Sequence, residues 1–223
     1  MPLIMPSVSA LPPSWPVLLR VERLCFEYPQ RVLFKDLDAS IPAGVTLVLG
    51  DDGSGKTTLL RLLAGELPAQ AGHLQVRDAS LQAHPQVYRQ HIFWVDPQTQ
   101  AFDALTPLQY FMRMRQIYPD FWPPEAPQLH ELLAGLSLTE HLDKPLYMLS
   151  TGSRRKVWLA AAFAAGATVT LLDDPFAALD KPSIQCVLQQ LAARASAADG
   201  ACVVAHYEAP HGVALTQVID LDA

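Results

Sequence analysis

Short apolar runs alternate along this chain with longer stretches in which apolar residues return every three or four positions. The runs read as strands and the stretches as helices. Val17 to Tyr28 partly alternates at period two, as a half-buried strand does, and Pro29-Gln30 turns the chain. Val32 to Phe34 and Leu37 to Ile41 read as further strand, so an antiparallel layer is expected at this end. Val45 to Leu49 is a buried strand, followed by a helix over Thr58 to Ala64. His73 to Arg77 predicts a short strand, His84 to Gln90 a short helix, and Ile92 to Val95 another buried strand.

From Thr106 the period becomes helical. Leu108, Phe111, Met112 and Met114 share one face over Pro107 to Tyr118, and after a proline-rich break a second helix spans Gln128 to Gly135. Ser150 is positioned to cap a helix running from about Ser153 to Ala165. Thr168 to Leu172 is a buried strand, Pro182 to Arg194 a helix, Ala201 to Ala205 a strand, and Val218 to Leu221 the last strand. Strands alternating with helices predict an α/β fold: a mostly parallel sheet with helices on both faces, an N-terminal antiparallel β layer and a small α-helical subdomain. Residues 1–16 read as a flexible Pro-rich leader and 17–223 as a single domain, its core (17–105 and 149–223) interrupted by the helical subdomain at 106–148. No further domain is expected after the last strand.

Composition narrows the classes. Half of the 223 residues are hydrophobic, which suffices for one core. The net charge of −6 leaves no electrostatic footprint for nucleic acid. Cys25, Cys186 and Cys202 lie far apart without metal spacing, as free thiols in a reducing compartment do. No basic residue precedes Arg20, which argues against a secretory signal. The longest apolar stretch, Val157 to Leu172, is too short and too interrupted to span a bilayer. A soluble chain is expected, meeting any membrane through a partner.

The chemistry concentrates at Gly50-Asp51-Asp52-Gly53-Ser54-Gly55-Lys56-Thr57, which fits the phosphate-binding pattern G-x-x-x-x-G-K-[ST] between a strand and a helix. Glycines let successive N–H groups curl around an anion, and the helix start at Lys56-Thr57-Thr58 adds its positive dipole end. Lys56 reaches the β- and γ-phosphates in such loops, and the Thr57 hydroxyl binds Mg²⁺. Asp173 and Asp174 end an apolar strand: Asp173 is assigned to the Mg²⁺, Asp174 to the attacking water as general base or water-orienter. His206 follows the next apolar strand, a placement from which a γ-phosphate contact is expected, although a lone histidine is more often structural. Leu149 to Ser153 is a small-residue turn opening a helix, and the basic run Arg154-Arg155-Lys156 after it reads as a solvated face.

The order of these pieces, from Val17 to Asp222, resembles the ATP-binding cassette family, specifically the nucleotide-binding subunit of ABC transporters. The resemblance implies a P-loop NTPase core in which Gly50 to Thr57 is the Walker A loop and Asp173 the Walker B aspartate. It implies that Tyr28 stacks on adenine, and that Gln98, with Gln100 as rival, touches Mg²⁺ and senses the membrane partner. Leu149 to Ser153 resembles the signature turn, whose Ser150 and Gly152 meet the γ-phosphate of a second subunit's ATP. Ala178-Leu179-Asp180 matches the loop crossing to that subunit, and His206 the switch histidine. The implied protein is an ATPase using ATP and Mg²⁺. It pairs with an identical or related nucleotide-binding subunit, drives separate membrane-spanning subunits, and sits on the inner face of the cytoplasmic membrane.

Three departures bear on activity. Asp174 stands where the family has Glu, the signature reads LSTGS, and Asp52 stands where Asn is common. A carboxylate one methylene shorter implies either work through a shifted water or slow hydrolysis, and motivates an alternative: a regulatory or assembly subunit that binds ATP with weak or no turnover. A single cassette with no basic patch disfavours a role on DNA or ribosomes.

Overall fold

A computed structural model of the protein describes residues 15–222. β1 (Val17–Tyr28) pairs antiparallel with β2 (Arg31–Pro42) on one side and with β4 (Ala71–Val76) on the other, and β5 (Ala79–Ser80) extends β4. The second sheet has the order β6 (Ile92–Phe93), β7 (Val169–Asp173), β8 (Ala201–His206), β3 (Gly44–Leu49), β9 (Gln217–Asp220), with every neighbouring pair parallel. β7 and β8 are buried almost throughout, as strands covered on both faces are.

Alternation along these strands divides the core. Cys202 and Val204 of β8, Val45 of β3 and Leu172 of β7 face one core with α3 (Pro107–Ile117), α4 (Pro127–Gly135), α5 (Thr151–Ala164) and α6 (Lys181–Ala195). Val203 and Ala205, with Val48 and Leu171, face the other, built with α1 (Lys56–Leu63) and the antiparallel sheet. Tyr88 of α2 (Pro85–Gln90) is fully buried there, its hydroxyl donating to the Leu63 carbonyl at 2.7 Å. This is the α/β arrangement of a P-loop NTPase.

Several expectations shift. The two runs in 32–41 form one strand, bent at Asp36, whose φ is 52°. Only Ile92 and Phe93 of the expected 92–95 strand pair; Trp94 turns away and its Nε1–H donates to Glu66 Oε2 at 2.5 Å. β5 is too short to show a period and exists because β4 offers it an edge. The expected leader lies outside the described residues up to position 14, but Trp15 packs on the core and the Pro16 carbonyl accepts from Ala43 N–H at 3.0 Å, so these two belong to the folded part. α3 and α4 share their core with α5 and α6, and the Tyr118 hydroxyl ties the end of α3 to the Ile92 carbonyl at 2.8 Å.

Candidate active site

Parallel strands end on one edge, and the register decides what meets there. Leu49 pairs with His206, and Asp173 with Ala205. The glycine loop, the acidic pair and the histidine therefore gather at the carboxyl ends of three adjacent strands, where open α/β sheets bind ligands.

The loop runs from Gly50 into α1. Gly53 and Gly55 have φ of 80° and 109°, conformations that require glycine. The Lys56 ammonium bridges the loop, donating to the carbonyls of Gly50 at 2.6 Å and Asp51 at 2.7 Å. Tyr28 is 42% exposed, stands edge-on to Phe26, and its hydroxyl lies 3.3 Å from Thr58 Oγ1, so an aromatic face stands beside the loop. Two loop contacts escaped the sequence: Arg31 Nη1 donates to the Gly53 carbonyl at 2.8 Å, and Asp51 N–H donates to Asp222 Oδ2 at 2.6 Å. Neither partner carries a motif. Asp52 and Ser54 complete the loop, Asp52 exposed and Ser54 half-buried.

The Thr57 hydroxyl donates to Asp173 Oδ2 at 2.7 Å. Burial raises the Asp173 carboxyl above its ordinary value, while the Thr57 hydrogen bond and the Arg155 guanidinium oppose the rise. Hydroxyl and carboxylate oxygens are the donors Mg²⁺ prefers. Among the described residues no three His, Cys, Asp or Glu side chains cluster as a metal cage. Thr57 and Asp173 would hold Mg²⁺ here, and the ion would offset the charge of bound phosphate.

His206 Nε2 lies 3.5 Å from Asp174 Oδ1. The ring is gripped edge-on by Phe176 at 5.3 Å and covered by Tyr207 at 4.2 Å. Its Nδ1 lies 3.0 Å from the Glu208 carbonyl and 3.3 Å from the Glu208 N–H, so it has a partner in either protonation state. Asp174 itself has φ of 45°, left-handed for a residue with a side chain.

The serine-glycine turn is formed as expected at its cap: Ser150 Oγ accepts from Ser153 N–H at 3.0 Å. That bond starts α5 at Thr151, two residues earlier than the sequence suggests. Among the described residues no hydrogen bond joins Ser150 or Gly152 to the glycine loop of the same chain. Gly152 instead packs against the backbone of the 178–180 loop, where a Cβ would come within 2.5 Å of the Ala178 carbonyl. Gln98 and Gln100 are both exposed on the loop beyond Trp94, and Gln98 N–H donates to Asp96 Oδ1 at 2.8 Å.

The basic run corrects the expectation of a solvated face. Arg154 pairs with Asp103 at 3.2 Å, Arg155 Nη2 donates to the carbonyls of Asp173 (2.6 Å) and Asp174, and Lys156, only 7% exposed, pairs with Asp180 at 2.6 Å. The partners lie 18 to 51 positions away along the chain, at Asp103 and between Asp173 and Asp180, so nothing local marked these charges as internal.

Residues 34–177 match the ABC transporter family. The "Cytochrome c biogenesis ATP-binding export protein CcmA" of Pseudomonas savastanoi pv. phaseolicola is 34% identical over 79% of this chain and 82% of its own. The protein of that name from Legionella pneumophila is 29% identical over 86% and 94%. Among solved structures, an ABC transporter ATP-binding protein from Pyrococcus furiosus superposes with a TM-score of 0.73, at 21% identity over 92% of this chain and 97% of its own, a likeness of fold.

Proposed function

This chain belongs to the ABC transporter family as an ATP-binding, ATP-hydrolysing subunit, and from that premise we propose how its own residues do the work. The observation that carries the proposal is the meeting of Thr57 with Asp173 beneath the glycine loop.

Tyr28 stacks on the adenine. The N–H groups from Gly53 to Thr58 and the Lys56 ammonium hold the phosphates, with Lys56 leaving its loop carbonyls for the γ-phosphate. Thr57 and Asp173, with Gln98, would hold Mg²⁺, which when bound would supply charge neutralisation to the phosphates. Asp174 orients the attacking water and takes its proton, while His206 steadies the Asp174 carboxylate and faces the γ-phosphate. Ser150 and Gly152 face outward to the ATP of a second nucleotide-binding subunit, so two ATP molecules join two subunits and hydrolysis lets them part.

Residues 17–105 and 149–223 make the nucleotide-binding core on this reading, and 106–148 the helical subdomain. A cleft of about 630 Å³ lined by Gly65, Glu66, Arg89, Trp94 and Ile117 lies beside that subdomain and receives a membrane-spanning partner. No helix among the described residues is long and apolar enough to cross a membrane. On this reading the chain sits on the inner face of the cytoplasmic membrane, held there by that partner. Export, the process in the relatives' names, is the proposed direction of transport.

Steady-state ATP hydrolysis by the protein with its membrane partner tests the scheme. Turnover that needs Mg²⁺ and vanishes in Lys56→Ala is expected. Nucleotide-independent pairing with no turnover would sink it.

A further inference from the structure

The guanidinium of Arg155 has no part in the scheme above, yet it touches the catalytic corner. Its Nη2 donates to the main-chain carbonyls of both Asp173 and Asp174. Between those carbonyls lies the peptide that delivers Asp174 into its left-handed conformation, φ 45°. That conformation sets the direction in which the Asp174 side chain leaves the backbone, and places its Oδ1 3.5 Å from His206 Nε2. Left-handed backbone is uncommon for residues with a side chain and persists where surroundings enforce it.

One donor nitrogen carrying two hydrogens can hold two successive carbonyls at once, and Arg supplies it on a planar, permanently charged group. Burial disfavours the charge and the carboxylates of Asp174 and Asp173 favour it. The neighbouring Arg154 and Lys156 anchor the same stretch of α5 to Asp103 and Asp180. The base of the Arg155 side chain is therefore fixed on both sides.

We propose that Arg155 is the positioning residue of Asp174: by clamping the Asp173 and Asp174 carbonyls it sets the aim of the carboxylate that activates water. The proposal rests on the reading of Asp174 as the base. It also joins the base of one ATP site to the helix whose first turn serves the other subunit's ATP.

The test uses the full chain with its membrane partner. It compares unaltered protein, Arg155→Gln and Arg155→Lys in steady-state ATP hydrolysis, in binding of a fluorescent ATP analogue, and in thermal melting. Misaiming the base by about an ångström is expected to lower kcat roughly a hundredfold in Arg155→Gln, with KM and analogue affinity within about threefold. Arg155→Lys recovers part of kcat. A kcat within about twofold of the unaltered protein in Arg155→Gln overturns the proposal. So does a loss confined to KM, which is the mark of weakened binding. Should Arg155→Gln fail to fold, Arg155→Lys decides alone: reduced kcat at unchanged KM supports the proposal, and unaltered kinetics overturn it. Unaltered protein without turnover sinks the underlying scheme and this proposal together, whereas an active protein indifferent to Arg155 sinks this proposal only.

Discussion

Thr57 and Asp173 stand 116 positions apart in the chain and meet hydroxyl to carboxylate at 2.7 Å. The first opens α1 and the second closes β7, so the contact reports the packing of that helix against the sheet. Asp173→Asn keeps an acceptor for the Thr57 hydroxyl and removes the charge. Thermal stability should change by about 1 kcal/mol or less. Mg²⁺-dependent ATP affinity should fall at least about tenfold. Nucleotide titrations with and without Mg²⁺, beside a melting curve, read both.

Asp174→Asn removes the proposed base and leaves the phosphate contacts. Hydrolysis should drop on the order of 10²- to 10⁴-fold at unchanged ATP affinity. The variant should then hold the ATP-bound pair of subunits, which size-exclusion chromatography with Mg-ATP would show as a larger species.

Gly152→Ala separates local propensity from tertiary fit. Alanine in a helix is favoured over glycine by about 1 kcal/mol. Here its Cβ would press on the Ala178 carbonyl at 2.5 Å, so either the turn or the 178–180 loop must shift. We expect a melting temperature near that of the unaltered protein and a loss of hydrolysis. Unchanged turnover would show that the close approach has no functional weight.

Acid should weaken the tie between α5 and α6. The hydrogen bond from Lys156, and then that from the Ser183 N–H, hold the Asp180 carboxyl far below its usual range. A depressed folded pKa gives stability that is whole above the unfolded value, near pH 4, and lost as pH falls through the folded one. Asp180→Asn keeps the helix cap and loses the charge. It should be less stable than the unaltered protein at pH 7, with the gap closing below about pH 4 in urea unfolding. Half exposure of Asp180 keeps the effect small.

Thiol labelling should follow burial. Cys202 is fully enclosed and its thiol pushed up to about 12, and burial also raises Cys186. Cys25 is half-buried. A native protein treated with a thiol reagent near pH 8 should modify Cys25 first, with Cys186 and Cys202 reacting only on unfolding. Mass spectrometry of the labelled peptides decides it.

Order along the chain was enough for whatever depends on neighbours. Unbroken apolar runs marked β3, β7 and β8, the spacing of Gly50, Gly53, Gly55 and Lys56 marked an anion loop, and Ser150 marked a helix start, because strand, loop and cap are local solutions to backbone hydrogen bonding. Contacts across long separations were decided by packing. Arg154, Arg155 and Lys156 look like a wet surface in the linear chain, since exposure of a charge depends on what folds over it. The left-handed turn at Asp174, the Asp222 carboxylate on the Asp51 N–H, and the seat of Gly152 on Ala178 have the same origin. Each depends on packing segments that are far apart in the chain, which no single segment encodes.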